Sequence, residues 1–155
     1  MKATRPLTAK DLPRLIEFWK EQWGGEEIIV HGQVFRPEPL NGFITEDWSG
    51  VITYIIQDDS CEIISLNSLK ENRGIGTALI HKVADEAHKQ NCRRLFLSTT
   101  NDNFHALGFY QRLGFELTAI RRGAVHEARK IKASIPLMGM NGIPLRDEIE
   151  LEILL

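Results

Sequence analysis

Hydrophobic and polar positions alternate along this chain with two different periods, and the switches between them mark the elements. Leu12, Leu15, Ile16, Trp19 and Trp23 recur at helical spacing behind a Thr8-x-x-Asp11 start, with Pro13 tolerated in the first turn and Gly24-Gly25 as the stop. The stripe predicts an amphipathic helix whose aromatics pack in the core. Residues 1 to 7 read as a short edge strand. Residues 26 to 40 carry Ile28-Ile29-Val30 but also Pro37 and Pro39, and predict a connecting segment of low regularity, where binding walls are often made.

From Leu40 to Leu69 the period changes to that of strands. Gly42-Phe43-Ile44, Val51 to Gln57 and Cys61 to Leu66 are β-branched or aromatic runs. They are separated by the turn sequences Asp47-Trp48-Ser49-Gly50 and Asp58-Asp59-Ser60, short enough to require antiparallel pairing. Ile75, Leu79, Ile80, Val83 and Ala87 then line one side of a helix reaching about Gln90, with Lys82–Glu86 and Asp85–Lys89 pairs outside. Arg94 to Ser98 is a strand, which makes a β-α-β unit. Thr99 to Asn103 is rich in capping residues and opens a helix carrying Ala106, Phe109, Tyr110 and Leu113, closed by Gly114. Gly108 inside that helix implies close packing or a ligand. Phe115 to Arg121 is a strand, Ala124 to Ile131 a short helix, and Pro136 to Pro144 a loop. The strict alternation of Glu148, Glu150 and Glu152 with Ile149, Leu151 and Ile153 predicts a half-buried last strand whose acidic face is solvated.

Composition narrows the function classes. A length of 155 residues, 43% hydrophobic and 26% charged, fits one domain over 1–155 with a real core. A net charge of −2 gives no footprint for nucleic acid or an anionic membrane, so neither is expected as a partner. Cys61 and Cys92 fit no metal or redox motif, and no apolar run marks a signal peptide or a span, so a reducing cytoplasm is the expected location. The five histidines show no ligand spacing and read as solvated; no metal is expected.

Candidate chemistry begins at Glu71-Asn72-Arg73-Gly74-Ile75-Gly76-Thr77-Ala78. A Gly-x-Gly turn leading into a helix offers unpaired amides and the positive end of a dipole to an anion. No Gly-Lys-Ser/Thr follows, and position 79 is leucine where a dinucleotide fingerprint has its third glycine, so neither nucleotide fold is met. Asn103, Ala106, Phe109, Tyr110, Gly114 and Phe115 form a second motif, Asn-x-x-Ala-x-x-Phe-Tyr-x-x-x-Gly-Phe. With these two motifs at this separation, the chain resembles the GNAT acyl-coenzyme A acetyltransferases over nearly its whole length, most strongly from Cys61 to Phe115.

The resemblance implies an α/β (α+β) fold, a mixed, mostly antiparallel sheet of about six or seven strands with helices on both faces. It implies acetyl-CoA as cosubstrate, its pyrophosphate on the amides of Arg73, Gly74, Ile75, Gly76, Thr77 and Ala78. Pantetheine would lie between two splayed strands against Leu66, Asn67 and Ser68, and Asn103 would contact the cofactor. Direct attack by the amine of a small molecule or peptide would follow, with Tyr110 as proton donor to the thiolate. For the base, Glu62 is the best-placed carboxylate, with Glu46, Asp47 and water chains as rivals. Acids at Glu26, Glu27, Glu46 and Asp47 point to a cationic acceptor. A non-catalytic acyl-CoA-binding module and a purely structural protein are the other readings. Three departures from the pattern stand out: Glu71 occupies the usual Gln/Arg position, with Arg73 to compensate; the link from Asn67 to Asn72 is shorter than usual, which leaves the register of the residues before it open by one or two; and the excursion from Gly123 to Arg146 is long enough to be a lid or a homodimer surface.

Overall fold

The computed structural model describes residues 3–70 and 73–155. Their strands form a seven-stranded sheet, flanked by helices on both faces, and a small separate hairpin. In chain order the elements are β1 (Thr4–Pro6), α1 (Leu12–Trp23), β2 (Ile28–Val30), β3 (Gln33–Phe35), β4 (Asn41–Thr45), β5 (Gly50–Gln57), β6 (Ser60–Ser68), α2 (Ile75–Lys89), β7 (Arg94–Thr100), α3 (Phe104–Arg112), β8 (Glu116–Arg121), α4 (Ala124–Ile131) and β9 (Glu148–Leu154). The large sheet runs β1-β4-β5-β6-β7-β9-β8, antiparallel throughout except for the β6–β7 pair. That exception is the β-α-β unit expected from the sequence.

One core lies between the sheet and the α2–α3 side, with Leu79, Val83, Leu95 and Leu151 inaccessible to solvent. The other lies under α1, around Trp19, Ile44, Val51 and Ile64. The aromatic stripe of α1 is therefore core at Trp19, but Trp23 stays 37% exposed and its Nε1 donates to Asn67 Oδ1 (2.9 Å), tying α1 to the end of β6.

The start of α1 is a capping box around a 3₁₀ turn (Ala9–Asp11). Asp11 accepts from the Thr8 amide (2.8 Å) and takes a two-pronged ion pair from Arg5 (2.8 Å on each oxygen). The Arg5 guanidinium first, and then the Thr8 donors, hold the Asp11 carboxyl well below the usual carboxylate range. A depressed folded-state pKa gives stability that is present above the unfolded value, about 4, and fades as pH falls below it. Asp11→Ala should cost about 1 kcal/mol at pH 7, which lowers the melting temperature by about 2–4 °C. Melts from pH 7 down to pH 2.5 should show the gap between variant and native protein closing below pH 4; a constant gap would mean that the charge is irrelevant.

Two sequence expectations change. Residues 28–35 are not irregular: β2 and β3 pair as a hairpin around His31-Gly32. The acidic face of β9 is not solvated either. Glu148 is 4% exposed and bonded by Arg121 Nε (3.0 Å), while Glu150 pairs with Arg94 (3.1 Å) and Arg121 (3.2 Å). Alternation identifies which residues share a face, but not that arginines from β7 and β8 and a hairpin tip will cover it.

The excursion after β8 is fastened at several points. Asp102, buried at the β7–α3 junction, accepts from the Met140 amide (2.7 Å), and Asn101 receives the amides of Arg146 and Asp147. Gly139 lies so close that an added Cβ would fall 2.2 Å from Asp102 Oδ2. Lys132 donates to the carbonyls of Trp23 and Glu27 (2.9 and 2.7 Å), closing the other end onto the C-terminus of α1.

Candidate active site

The pairing of β6 with β7 stops early. Only Ser60, Cys61 and Glu62 oppose Arg94, Leu95 and Phe96; beyond that point β6 continues to Ser68 and β7 to Thr100 without meeting. Each strand keeps its other neighbour, β5 for β6 and β9 for β7, so the sheet remains continuous while a slot opens inside it. A slot of this kind presents unpaired strand edges that a peptide-like guest can occupy.

The first turn of α2 stands at the mouth of the slot. Gly74 is its N-cap at φ +69°, a left-handed conformation that glycine adopts freely, with nothing within 4 Å of an added Cβ. Gly76 serves a different purpose: a Cβ there would lie 3.3 Å from Phe109 Cζ, so the missing side chain lets α3 close onto α2. The amides of Ile75, Gly76 and Thr77 occupy the first turn, where a helix supplies no acceptor. Ala78 differs from expectation. Its amide already donates to Gly74 O (3.0 Å), so it is the first bonded residue of the helix and not an anion donor.

Slot and helix end share a cavity of about 570 Å³. Leu66, Asn67, Ser68, Arg73, Gly74, Ile75, Gly76, Thr77, Asn103 and Tyr110 all line it, so ten of the sequence-nominated positions converge although they come from three separate stretches. Ala78 and Glu62 do not line it. Glu71 lies outside the described residues. The Asn67 side chain is fixed in place by Trp23, whose Nε1 donates to its Oδ1. Asn103, which lines the cavity, caps α3 through Oδ1, which accepts from the Ala106 amide (3.0 Å).

Tyr110 is 7% exposed, wedged edge-on between Phe109 and Phe115 with ring centroids 5.2 and 5.5 Å away. Its hydroxyl has no hydrogen-bond partner among the described residues. Burial pushes the phenol's pKa well above its ordinary value, so it stays protonated at neutral pH and can only donate to a developing anion.

Sequence reading did not nominate Gln22, Lys70 or Arg112, which also line the cavity, beside His105 and the motif residue Phe109. Gly108 was expected to make room for packing or a ligand; an added Cβ would meet Arg112 Nη1 at 2.8 Å, so the space is taken by the cation that reaches this wall. His31, read as solvated, has its Nε2 2.8 Å from Glu62 Oε2. The β-branched run Ile28–Val30, a two-residue X-Gly centre and the following Gln33–Phe35 form a hairpin signal that would have placed His31 on a tip. Two of the four acids expected to gather for a cationic acceptor already hold partners: Glu27 pairs with Arg36 (2.7 Å), and Asp47 caps its own turn and pairs with Lys70 (3.0 Å).

A sheet split beside a glycine-opened helix, facing an Asn/Tyr helix, is matched in sequence as well. The pattern of the acetyltransferase (GNAT) family covers residues 10–115. The chain belongs to the GNAT acetyltransferase family. The uncharacterized protein YdhI of Bacillus subtilis (strain 168) is 44% identical over 139 residues, 87% of this chain and 87% of that protein. Among solved structures, the GNAT family acetyltransferase from Elizabethkingia anophelis with acetyl-CoA bound superposes with a TM-score of 0.69 at 24% identity, covering 99% of this chain and 97% of that one. A Bacillus subtilis acetyltransferase in complex with CoA gives 0.71 at 18% identity, covering 100% and 99%. At these identities the structures show a shared fold, and the family assignment rests on the sequence pattern. Among the described residues, this GNAT acetyltransferase has no helix long and apolar enough to cross a membrane.

Proposed function

We propose that this acetyltransferase, working as one unit over residues 1–155 in the cytoplasm, moves the acetyl group of acetyl-CoA to the primary amine of a small molecule or peptide by direct attack. The observation that carries the reading is the single cavity joining the β6–β7 slot to the first turn of α2. Its dimensions suit an extended pantetheine arm ending in two phosphates, with Ile75, Gly76 and Thr77 amides on the pyrophosphate. The lone pair of the attacking nitrogen forms the bond to the thioester carbon and the C=O π pair moves onto oxygen, where an amide near Leu66 on the open edge of β6 stabilises the oxyanion. Collapse breaks the C–S bond, and Tyr110 donates to the departing thiolate. Glu62 sits where the slot begins, the last β6 residue paired with β7, and marks the end of the site that accepts the amine's proton. The fastened excursion, with Leu137 76% and Met138 57% exposed, is the surface through which two copies would associate.

The test is thiol release from acetyl-CoA against a panel of alkylamines, amino acids, polyamines, aminoglycosides and peptides with free N-termini. At least one amine should raise release tenfold or more over water. Tight acetyl-CoA binding with no release for any amine would instead identify a non-catalytic acyl-CoA module, and absence of binding would remove the cofactor assignment.

A further inference from the structure

The β2–β3 hairpin turns on His31 and Gly32, both at positive φ (42° and 78°), and its tip rests on the polar face of the sheet. Two buried carboxylates hold it. The His31 amide donates to Glu148 Oε1 (2.9 Å), and Nε2 faces Glu62 Oε2 at 2.8 Å. Phe35 meets the ring edge-on at 5.8 Å. Nδ1 has no partner among the described residues. The His31 side chain is 22% exposed against 7% for Glu62, so the imidazole stands between the carboxylate and solvent.

An ionised carboxylate only accepts, so in the neutral ring Nε2 carries the hydrogen and Nδ1 keeps the lone pair. A buried acid orienting an imidazole in this way makes it a competent base and stabilises the imidazolium that results. We propose that His31 Nδ1 takes the proton of the acceptor amine, and that Glu62 is the positioning carboxylate behind it. The proposal rests on the acetyl-transfer reading and refines it: the charge at the proton-accepting end belongs to Glu62, while the proton itself lands on His31. As the N–C bond forms, the N–H proton passes to Nδ1. When the C–S bond breaks, the electron pair leaves on sulfur, hydrogen-bonded by Tyr110, and the imidazolium later returns its proton to water through its exposed edge.

Three charged groups face His31: Glu62 from β6, Glu148 from β9 and Arg121 from β8, while β3 presents only Phe35. The hydrogen bond to Glu62 raises the imidazole's affinity for a proton, against the opposing effects of burial and Arg121. The active, neutral form therefore appears only at pH values above the ordinary histidine range, and the climb of kcat/KM with pH should be displaced to that higher side.

His31→Asn is the informative change, because asparagine tolerates positive φ and keeps the backbone donor to Glu148 that seats the tip. With the most active amine of the panel, kcat/KM at pH 7.5 should fall about 50-fold or more, within the range for general bases. The acid limb of the pH profile should vanish, while acetyl-CoA binding holds and the melting temperature falls by about 2–4 °C at most. Glu62→Gln should move the acid limb to lower pH, and NMR titration of the His31 ring should move with it. The exposed His126 on α4, changed to Asn, should leave rates untouched. A His31→Asn enzyme with native rate and native acid limb would reduce the hairpin tip to a clamp. Equal losses of stability and cofactor binding in that variant would overturn the proposal in the same way. A native enzyme that transfers to no amine would sink the acetyl-transfer reading itself, and this proposal with it.

Discussion

Tyr110→Phe should lower kcat by about 100-fold and leave the dissociation constant of acetyl-CoA within about twofold of native. The ring is what the fold needs: it fills the space between Phe109 and Phe115, and phenylalanine preserves both edge contacts. The hydroxyl has no partner among the described residues, so its removal strands no donor or acceptor and should cost little stability. What is lost is a hydrogen bond to a leaving group that becomes charged only as the C–S bond breaks. Bonds to charged groups are worth about 1.5–3 kcal/mol, and each 1.36 kcal/mol is tenfold in rate, which gives about 10- to 150-fold. Burial raises the Tyr110 pKa above that of an ordinary thiol, so complete proton transfer to sulfur would run uphill. Tyr110 is therefore expected to stabilise the thiolate by donation more than by surrendering its proton. Single-turnover thiol release in parallel with calorimetric acetyl-CoA binding separates the two quantities. An unchanged kcat would remove Tyr110 from the mechanism, and a matching loss of binding would make it a cofactor contact.

The cofactor half of this site was legible in the sequence because its parts are local. Gly74 and Gly76 sit within one turn of each other, and Asn103, Ala106, Phe109 and Tyr110 lie on one helix at helical spacing. Local periodicity and turn chemistry report such groups directly. The other half was not legible, because it is assembled across distance. His31 meets Glu62 from 31 positions away, and Glu148 from 117. Each of these residues, taken alone, looks like an ordinary surface charge. Only sheet order brings β6, β9 and β8 under one hairpin tip, and sheet order is what a single sequence states least clearly. The same contrast separates the two glycines: a Gly-x-Gly pattern cannot say that Gly74 answers a backbone angle and Gly76 a neighbouring ring.

Gly50 carries the second large effect, and it attracted no attention as a turn residue at the head of β5. An added Cβ would lie 2.3 Å from Ile75 Cγ2 and 3.0 Å from Leu79 Cδ1. Neither neighbour can yield easily. Ile75 is 5% exposed and β-branched, Leu79 is fully buried, and both belong to the first turns of α2. The absent side chain at Gly50 is thus what lets α2 settle onto the sheet with its first turn level with the slot. Gly50→Ala should overpack the contact by about 1–3 kcal/mol, a fall in melting temperature of about 2–12 °C. Relief is available only by moving Ile75, which carries one of the amides assigned to the pyrophosphate. Acetyl-CoA affinity should therefore weaken by about tenfold, the effect of roughly 1.4 kcal/mol, even at temperatures where the variant is fully folded. Tyr110→Phe should show the opposite split, with binding kept and turnover lost. A Gly50→Ala protein that melts early but binds acetyl-CoA at native strength would show that the phosphate end of the site does not depend on how closely α2 seats against β5.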